Sequence, residues 1–303
     1  MAHVQFGIFL STQESEVQRL REKVQLIDAS AFDYVSIQDH PYVPTLLDTM
    51  SVIAALSVET TRLRFMTNVA NLAMRPAPML AKASATIDLL SGGRFELGIG
   101  SGRAWDQITG LGGPHWSPSE AVAATTKAID ILRAFWVPGQ GIDSPGGQYP
   151  LNDARSGPTP AHRIGIWLGA AGPVMLTLLG TKADGWIAPL STSFESKSPA
   201  QDRIDAGARA AGRRPTDIRR VIQLVGTVTD AVSERTTKRP VSGPGGQPIR
   251  ATPKRWAQII TEFVLQERFD TVNLALEHDS ADQIQRFADD VIPLVHAATE
   301  GRI

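Results

Sequence analysis

Cysteine is absent from the 303 residues of this chain. Its absence removes disulfides, thiolate metal sites and cysteine nucleophiles, and leaves the cellular compartment open. Net charge is nearly absent too: the formal value is -1, with lysines and arginines spread along the sequence. No field suits nucleic acid or an anionic membrane, so the expected partner is a small molecule. No uncharged stretch is long enough to span a bilayer, and the chain starts in a strand-like run, Val4 to Leu10, with no basic region leading into a long apolar one. A soluble, unexported, cytoplasmic protein is expected. Walker phosphate loops, helical His-Glu-x-x-His and Gly-x-Ser-x-Gly elbows do not occur. Phosphoryl transfer by a phosphate loop, zinc hydrolysis and ordinary serine-hydrolase chemistry are therefore disfavoured.

What is present is alternation. Short apolar runs that read as buried parallel strands occur at Val4–Leu10, Tyr34–Ile37, Leu63–Ala70, Phe95–Gly100, Ile164–Leu168, Gly185–Ala188, Val221–Val228 and Thr271–Leu276. Between and after them lie segments with helical spacing, at Glu16–Ala29, Asp48–Glu59, Pro78–Leu90, Pro118–Trp136, Pro173–Ala183, Ala200–Ala211, Pro253–Gln266 and Ala281–Ala297. Ser117-Pro118-Ser119-Glu120 sets a cap, a first-turn proline and an early acid in order, and Gly172-Pro173 and Thr252-Pro253 repeat the proline device. The pattern predicts an α/β fold, a closed (β/α)8 TIM barrel forming one domain over residues 1–303. A dinucleotide-binding fold fits less well, because Ser11-Thr12-Gln13-Glu14 follows the first strand where its glycine fingerprint should stand. Two glycine- and proline-rich stretches, 139–163 and 230–251, read as insertions at the carboxyl-terminal face. The first is expected to hold a short hairpin around Tyr149 and the second to form a mobile lid.

In such barrels the reactive groups sit at the carboxyl ends of the strands. Those positions hold Ser11; Gln38, Asp39 and His40; Asn68 and Asn71; Ser101 and Arg103; Gly169–Gly172; Pro189–Thr192; Thr227; and Glu277 and His278. No lysine ends a strand, which argues against Schiff-base chemistry, and the two acids make neither a divalent-metal cage nor a carboxylate pair, so no metal is expected. A chain so short of reactive groups points to a borrowed organic cofactor. Gly169-Ala170-Ala171-Gly172-Pro173 follows a strand and opens a helix, so its free amides suit a phosphate, although such glycines also serve as plain turns. Gly98-Ile99-Gly100-Ser101-Gly102 would lie against the same ligand, since alternating glycines let backbone approach a flat group. His115, His162 and His296 read as solvated or structural, and Trp105, Trp116 and Trp136 as core or pocket-lining aromatics.

Taken together, these residues resemble the luciferase-like monooxygenase superfamily, especially its branch that uses the deazaflavin coenzyme F420. The resemblance is carried by Asp39-His40, by Ser91-Gly92-Gly93-Arg94 with Leu97 to Gly102, by Trp167 to Pro173 and by Ala183-Asp184-Gly185-Trp186. It implies an oxidoreductase, normally a homodimer, that moves a hydride between F420 and an organic substrate. An FMN-dependent monooxygenase and a non-catalytic flavin-binding relative are the alternatives. By position it implies that Ala170, Ala171 and Gly172 bind the cofactor phosphate with Ser191 and Thr192 nearby, and that Gly100, Ser101 and Gly102 flank the ring. Asn68-Val69 falls where relatives often carry a non-proline cis peptide behind that ring. His40, oriented by Asp39, is the expected proton-handling pair. Sugar-phosphate-oxidising relatives place a glutamate where this chain has Arg103, so that chemistry is in doubt here. Arg103, with Trp105 beside it, is assigned to substrate; its guanidinium would clamp an anionic substrate or the acidic cofactor tail, or cover the loop.

Overall fold

A computed structural model of the protein describes residues 3–139, 141–190, 194–230, 248–277 and 280–302. Eight parallel strands close on themselves: β1 (Gln5–Leu10), β2 (Tyr34–Ile37), β3 (Arg64–Thr67), β4 (Phe95–Gly100), β5 (Ile166–Gly169), β6 (Gly185–Ile187), β7 (Arg219–Val228) and β8 (Thr271–Leu276). Each pairs with the next, β8 pairs with β1 (Gln5 opposite Thr271), and β6 meets β7 with Gly185 opposite Arg219. The sheet therefore has no free edge in the ring. Around it pack α1 (Val17–Asp28), α2 (Thr49–Val58), α3 (Ala77–Ser91), α4 (Pro118–Phe135), α5 (Pro173–Lys182), α6 (Phe194–Ala210) and α7 (Pro253–Glu267). The last helical layer, α8, runs through Ala281–Arg286, a π turn at Phe287–Val291 and Ile292–Thr299.

The termini of these helices form as their sequences require. Ser117 and Glu120 make a reciprocal capping box at α4, Ser117 N–H donating to Glu120 Oε2 at 2.8 Å. α3 ends on Gly92 and Gly93, both with positive φ, and Arg94 follows. The Arg94 guanidinium donates to the carbonyls of Ser57, Thr60, Leu63 and Ser91, tying α2 to α3 at the amino-terminal end of the barrel. The Ser-Gly-Gly-Arg motif is thus a structural clamp far from the strand ends that carry the site.

Inside the ring the pattern is layered. Tyr34, Met66, Trp167, Ile187 and Val221 form an apolar plug distinct from the larger core between sheet and helices. Alternate residues of a strand share a face, so two positions on from Tyr34, Met66, Trp167 and Val221 the next inward layer is Ser36, Asn68, Gly169 and Gln223. This layer is polar or bare, and it opens on the site.

Several expectations shift. The run Leu63–Ala70 is two strands, β3 and the pair Ala70–Asn71 beside β4, separated by a cis Asn68–Val69 bond. A short helix, Trp105–Gly110, was not legible from periodicity. α6 starts earlier than expected and carries Pro199 within it. Residues 141–155 do form a hairpin, Gly141–Ser144 against Leu151–Arg155. It joins the end of α4 to the start of β5. The buried Tyr149 hydroxyl beside its turn donates to Leu72 O at 3.0 Å, in the segment that follows β3. Of the second insertion, Ile249–Ala251 extends the sheet beside β7, while the lid expected there lies almost wholly outside the described residues. Among the described residues no helix is long and apolar enough to cross a membrane.

Candidate active site

A cavity of about 680 Å³ opens at the carboxyl ends of the strands, the size of an ordinary small-molecule site. Phe9, Tyr42, Val69, Ile187 and Leu190 supply apolar wall, while Asn68, Gln223 and Asn273 bring polar groups from β3, β7 and β8. The loop after β2 brings Gln38, Asp39 and His40, and the loop after β4 brings Gly100, Ser101, Gly102 and Arg103. From β5 come Gly169 and Ala171. Most of the residues expected at the site are therefore together.

Val69 defines one wall, and glycine makes room for it. A Cβ on Gly100 would lie 2.7 Å from Val69 Cγ2, and one on Gly169 would lie 3.3 Å from Val69 Cγ1. Any side chain at Gly100 would push the valine out of its place. Gly102 has φ +101°, a conformation that side-chain-bearing residues rarely adopt.

At β5 the chain turns into α5 with its amides outward. Ala170 is buried and its carbonyl accepts a hydrogen bond from Trp186 Nε1 at 2.9 Å. That bond anchors the turn from below. Ala171 and Gly172 are exposed, and no side chain caps the helix. Because Leu176 N–H is the first to find a helical carbonyl, at Gly172 O, the amides of Gly172, Val174 and Met175 lack helical partners at the positive end of the helix. Pro173 at the first helical position has no N–H to lose. Ser191 and Thr192 lie outside the described residues, as does His278.

The Asp39-His40 pair is not a pair. The Asp39 carboxylate is 2% exposed and accepts from Arg75 Nε at 2.7 Å, from Arg75 Nη2 at 2.8 Å and from the amide of Asn71 at 2.9 Å. Arg75 also reaches Asp48 Oδ1 at 2.5 Å. These bonds commit Asp39 to holding the loop after β3 against the loop after β2, so it does not orient the imidazole through a hydrogen bond. That part falls to Tyr42, whose hydroxyl lies 2.7 Å from His40 Nδ1. His40 is exposed to the cavity mouth, and Nε2 has no protein partner among the described residues. Burial lowers its pKa below the ordinary imidazole value, with the Asp39 charge opposing. Tyr42 is raised by burial, with Asp39 adding to the rise.

Arg103 is exposed on the cavity rim and has no acidic partner among the described residues. Trp105 is not on the cavity wall. It stacks on His115 at 5.4 Å and meets Trp116 edge-on, so it supports the loop that carries Arg103. His162 and His296 are structural: His162 Nδ1 lies 2.7 Å from Asp88 Oδ1, and His296 Nε2 lies 3.0 Å from Val4 O. Sequence reading missed Arg75, Tyr42 and the inward polar layer of Ser36, Gln223 and Asn273. Counting two residues on from the buried apolar positions would have exposed Ser36 and Gln223; nothing local marks Arg75 as the partner of Asp39.

A closed (β/α)8 barrel whose strand ends converge on this cavity defines a TIM-barrel enzyme with its site at the carboxyl-terminal face. Residues 4–289 match the family model described as luciferase-like monooxygenase, and the chain belongs to that family. It is 30% identical over 238 residues to an F420-dependent glucose-6-phosphate dehydrogenase of Mycolicibacterium fortuitum, covering 74% of this chain and 69% of the relative. It is also 29% identical over 232 residues to an F420-dependent hydroxymycolic acid dehydrogenase of Mycobacterium tuberculosis, covering 74% of this chain and 63% of the relative. In fold it resembles a solved F420-dependent secondary alcohol dehydrogenase in complex with an F420-acetone adduct, at TM-score 0.82 and 18% identity over 97% of this chain and 99% of that one. The coenzyme F420 dependent tetrahydromethanopterin reductase from Methanopyrus kandleri is similar at TM-score 0.78 and 18% identity, over 96% and 99% of the two chains.

Proposed function

We propose that this chain is an F420-dependent oxidoreductase acting on a small organic substrate. The observation that carries the reading is the pairing of a ring-sized cavity with a row of helix-free amides that follows Ala171 on its wall, in a chain whose relatives include F420-dependent dehydrogenases. The residues present fit such a group. Val69, Gly100 and Gly169 give a smooth wall for a flat ring, and Gly172, Val174 and Met175 offer main-chain donors to a phosphate. F420, when bound, supplies hydride transfer at its ring. The chain's own residues do the rest.

His40 is the group placed to handle the proton that accompanies the hydride. One ring nitrogen is spent on Tyr42 whichever tautomer is present, which leaves Nε2 for the substrate. With Nδ1–H donated to the Tyr42 oxygen, Nε2 holds a lone pair and accepts the proton of an alcohol under oxidation, which makes the ring an imidazolium; in the reverse direction the imidazolium returns that proton from Nε2. The lowered pKa keeps the ring neutral near pH 7, ready to accept. Asp39 acts at one remove, by fixing the loop geometry through Arg75. Arg103 supports an anionic substituent on the substrate or the acidic tail of the cofactor, since an unpaired guanidinium at a cavity rim favours a carboxylate or phosphate.

A homodimer fits the surface. Val58 on α2 and Met79, Leu89 and Leu90 on α3 are between 47% and 64% exposed on two helices that pack together. Light scattering should give twice the 32.7 kDa chain mass, and a single-chain mass would contradict pairing. A cytoplasmic enzyme fits the near-neutral composition, and cell fractionation tests it. Titrating purified protein with F420 and with FMN tests the cofactor. Saturable binding of F420 well below the concentration needed for FMN is expected; tighter FMN binding, with oxygen-dependent turnover, would make it a flavin monooxygenase instead. Binding of F420 with no hydride transfer across an alcohol and carbonyl panel would leave a non-catalytic relative.

A further inference from the structure

The inward polar layer beneath the cavity forms a directional chain of hydrogen bonds. Gln223 Nε2 donates to Ala188 O at 3.0 Å, and Asn68 Nδ2 donates to Gln223 Oε1 at 2.7 Å across the barrel. Asn68 Nδ2 also approaches Ser36 Oγ at 3.5 Å, and Ser36 Oγ donates to Asn273 Oδ1 at 3.0 Å. Asn273 Nδ2 is buried and has no hydrogen-bond partner among the described residues, although Asn273 is only 1% exposed and lines the cavity.

An unpaired buried amide N–H is destabilising, and such groups in folded proteins call for an explanation. Packing gives none here. An apolar residue would fill the same place on β8 without that cost, as Val272 and Leu274 do on the opposite face of the strand. Swapping the two ends of the amide does not remove the problem, because Ser36 Oγ can serve only one of them and the other end remains unmatched. The partner is then a group that comes from the cavity Asn273 lines.

We infer that Asn273 is a ring-recognition residue whose Nδ2 donates to a carbonyl oxygen on the pyrimidinedione edge of the bound chromophore. This rests on the proposed cofactor reading. The supporting chemistry is the composition of the layer: Asn68, Gln223 and Asn273 are carboxamides, and a pyrimidinedione, with carbonyl and N–H groups side by side, is the flat heterocycle that carboxamides match. A layer that holds its amides in fixed rotamers offers that donor already aligned, so little ordering is needed on binding.

The experiment is a fluorescence titration of wild-type protein and of Asn273→Asp with two probes, F420 and the tail-less 5-deazariboflavin. Aspartate keeps the acceptor for Ser36 and the side-chain shape but replaces the donor with an oxygen. About tenfold or greater loss of affinity is expected for both probes alike, because both carry the same ring edge. Asn273→Ala, which deletes the donor without adding charge, is expected to lose affinity in parallel and is read if the aspartate variant fails to give a wild-type near-UV dichroism spectrum. Unchanged affinity in the folded variant overturns the inference and leaves the cofactor reading standing. A loss confined to F420 also overturns it, since the ring would not be the group sensed. Wild-type protein that binds neither probe overturns the cofactor reading itself.

Discussion

His40 and Tyr42 make a unit of two side chains, and the chemistry of the first depends on the second. Replacing His40 by alanine removes the only imidazole on the cavity wall among the described residues. Turnover should fall by about 100-fold or more while F420 affinity stays within a few-fold, and equal turnover in a kinetic assay would take His40 out of the reaction. Because burial lowers its pKa below 6.5, the rate of substrate oxidation should hold steady from neutral pH downward and fall only below the ordinary imidazole range. Tyr42→Phe frees Nδ1 and lets the ring turn. The expected result is a loss of about three- to tenfold in kcat, the scale of one ordinary hydrogen bond, with cofactor binding retained.

At the scale of the element, the turn from β5 into α5 is held from behind. Trp186 is fully buried, stacks on Phe269 at 5.8 Å and donates to Ala170 O, so the backbone of Ala170 faces the core while the following amides face out. Trp186→Phe keeps the stacking and removes the donor. A stability loss of about 1–3 kcal/mol and a weaker hold on F420 are expected from denaturant melts and titration, and unchanged affinity would show that the turn positions itself. The opposite end of the barrel carries a different device. His162 bridges Asp88 and Glu96, with Nε2 3.6 Å from Glu96 Oε1, and Arg64 also pairs with Glu96. Glu96 contributes most to raising the His162 pKa, Asp88 adds, and burial opposes. The folded state therefore keeps a proton that the unfolded chain gives up near pH 6.5. Stability from this contact is complete below that pH and is lost as pH rises through the higher folded value. Thermal melts of wild type and His162→Gln should show the wild-type advantage shrinking over that window; an advantage that grows with pH would contradict the assignment.

Across the whole molecule, the features legible in the sequence were those set by near neighbours. Strand-helix alternation, proline at the first turns of α4, α5 and α7, and the hairpin before Gly157 all follow from residues within a few positions of one another. The glycines that bracket Val69 were visible as a pattern, and the strand ends marked most of the cavity wall. What stayed hidden depends on register across the barrel. Asp39 looked like a partner for His40 because they adjoin in sequence, yet its charge is taken by Arg75, 36 residues away. Asn68 finds Gln223 from 155 residues away, and β3 breaks at Asn68 where continuous hydrophobicity suggested one strand. Such contacts are fixed only when the ring closes.

The most direct measurement is a crystal structure of the protein soaked with F420. Density for the cofactor phosphate within hydrogen-bonding distance, about 3 Å, of the Gly172, Val174 or Met175 amides, with the ring against Val69, is the expected result. A phosphate bound elsewhere, or a ring that leaves Val69 and Gly100 uncovered, would contradict the proposed site.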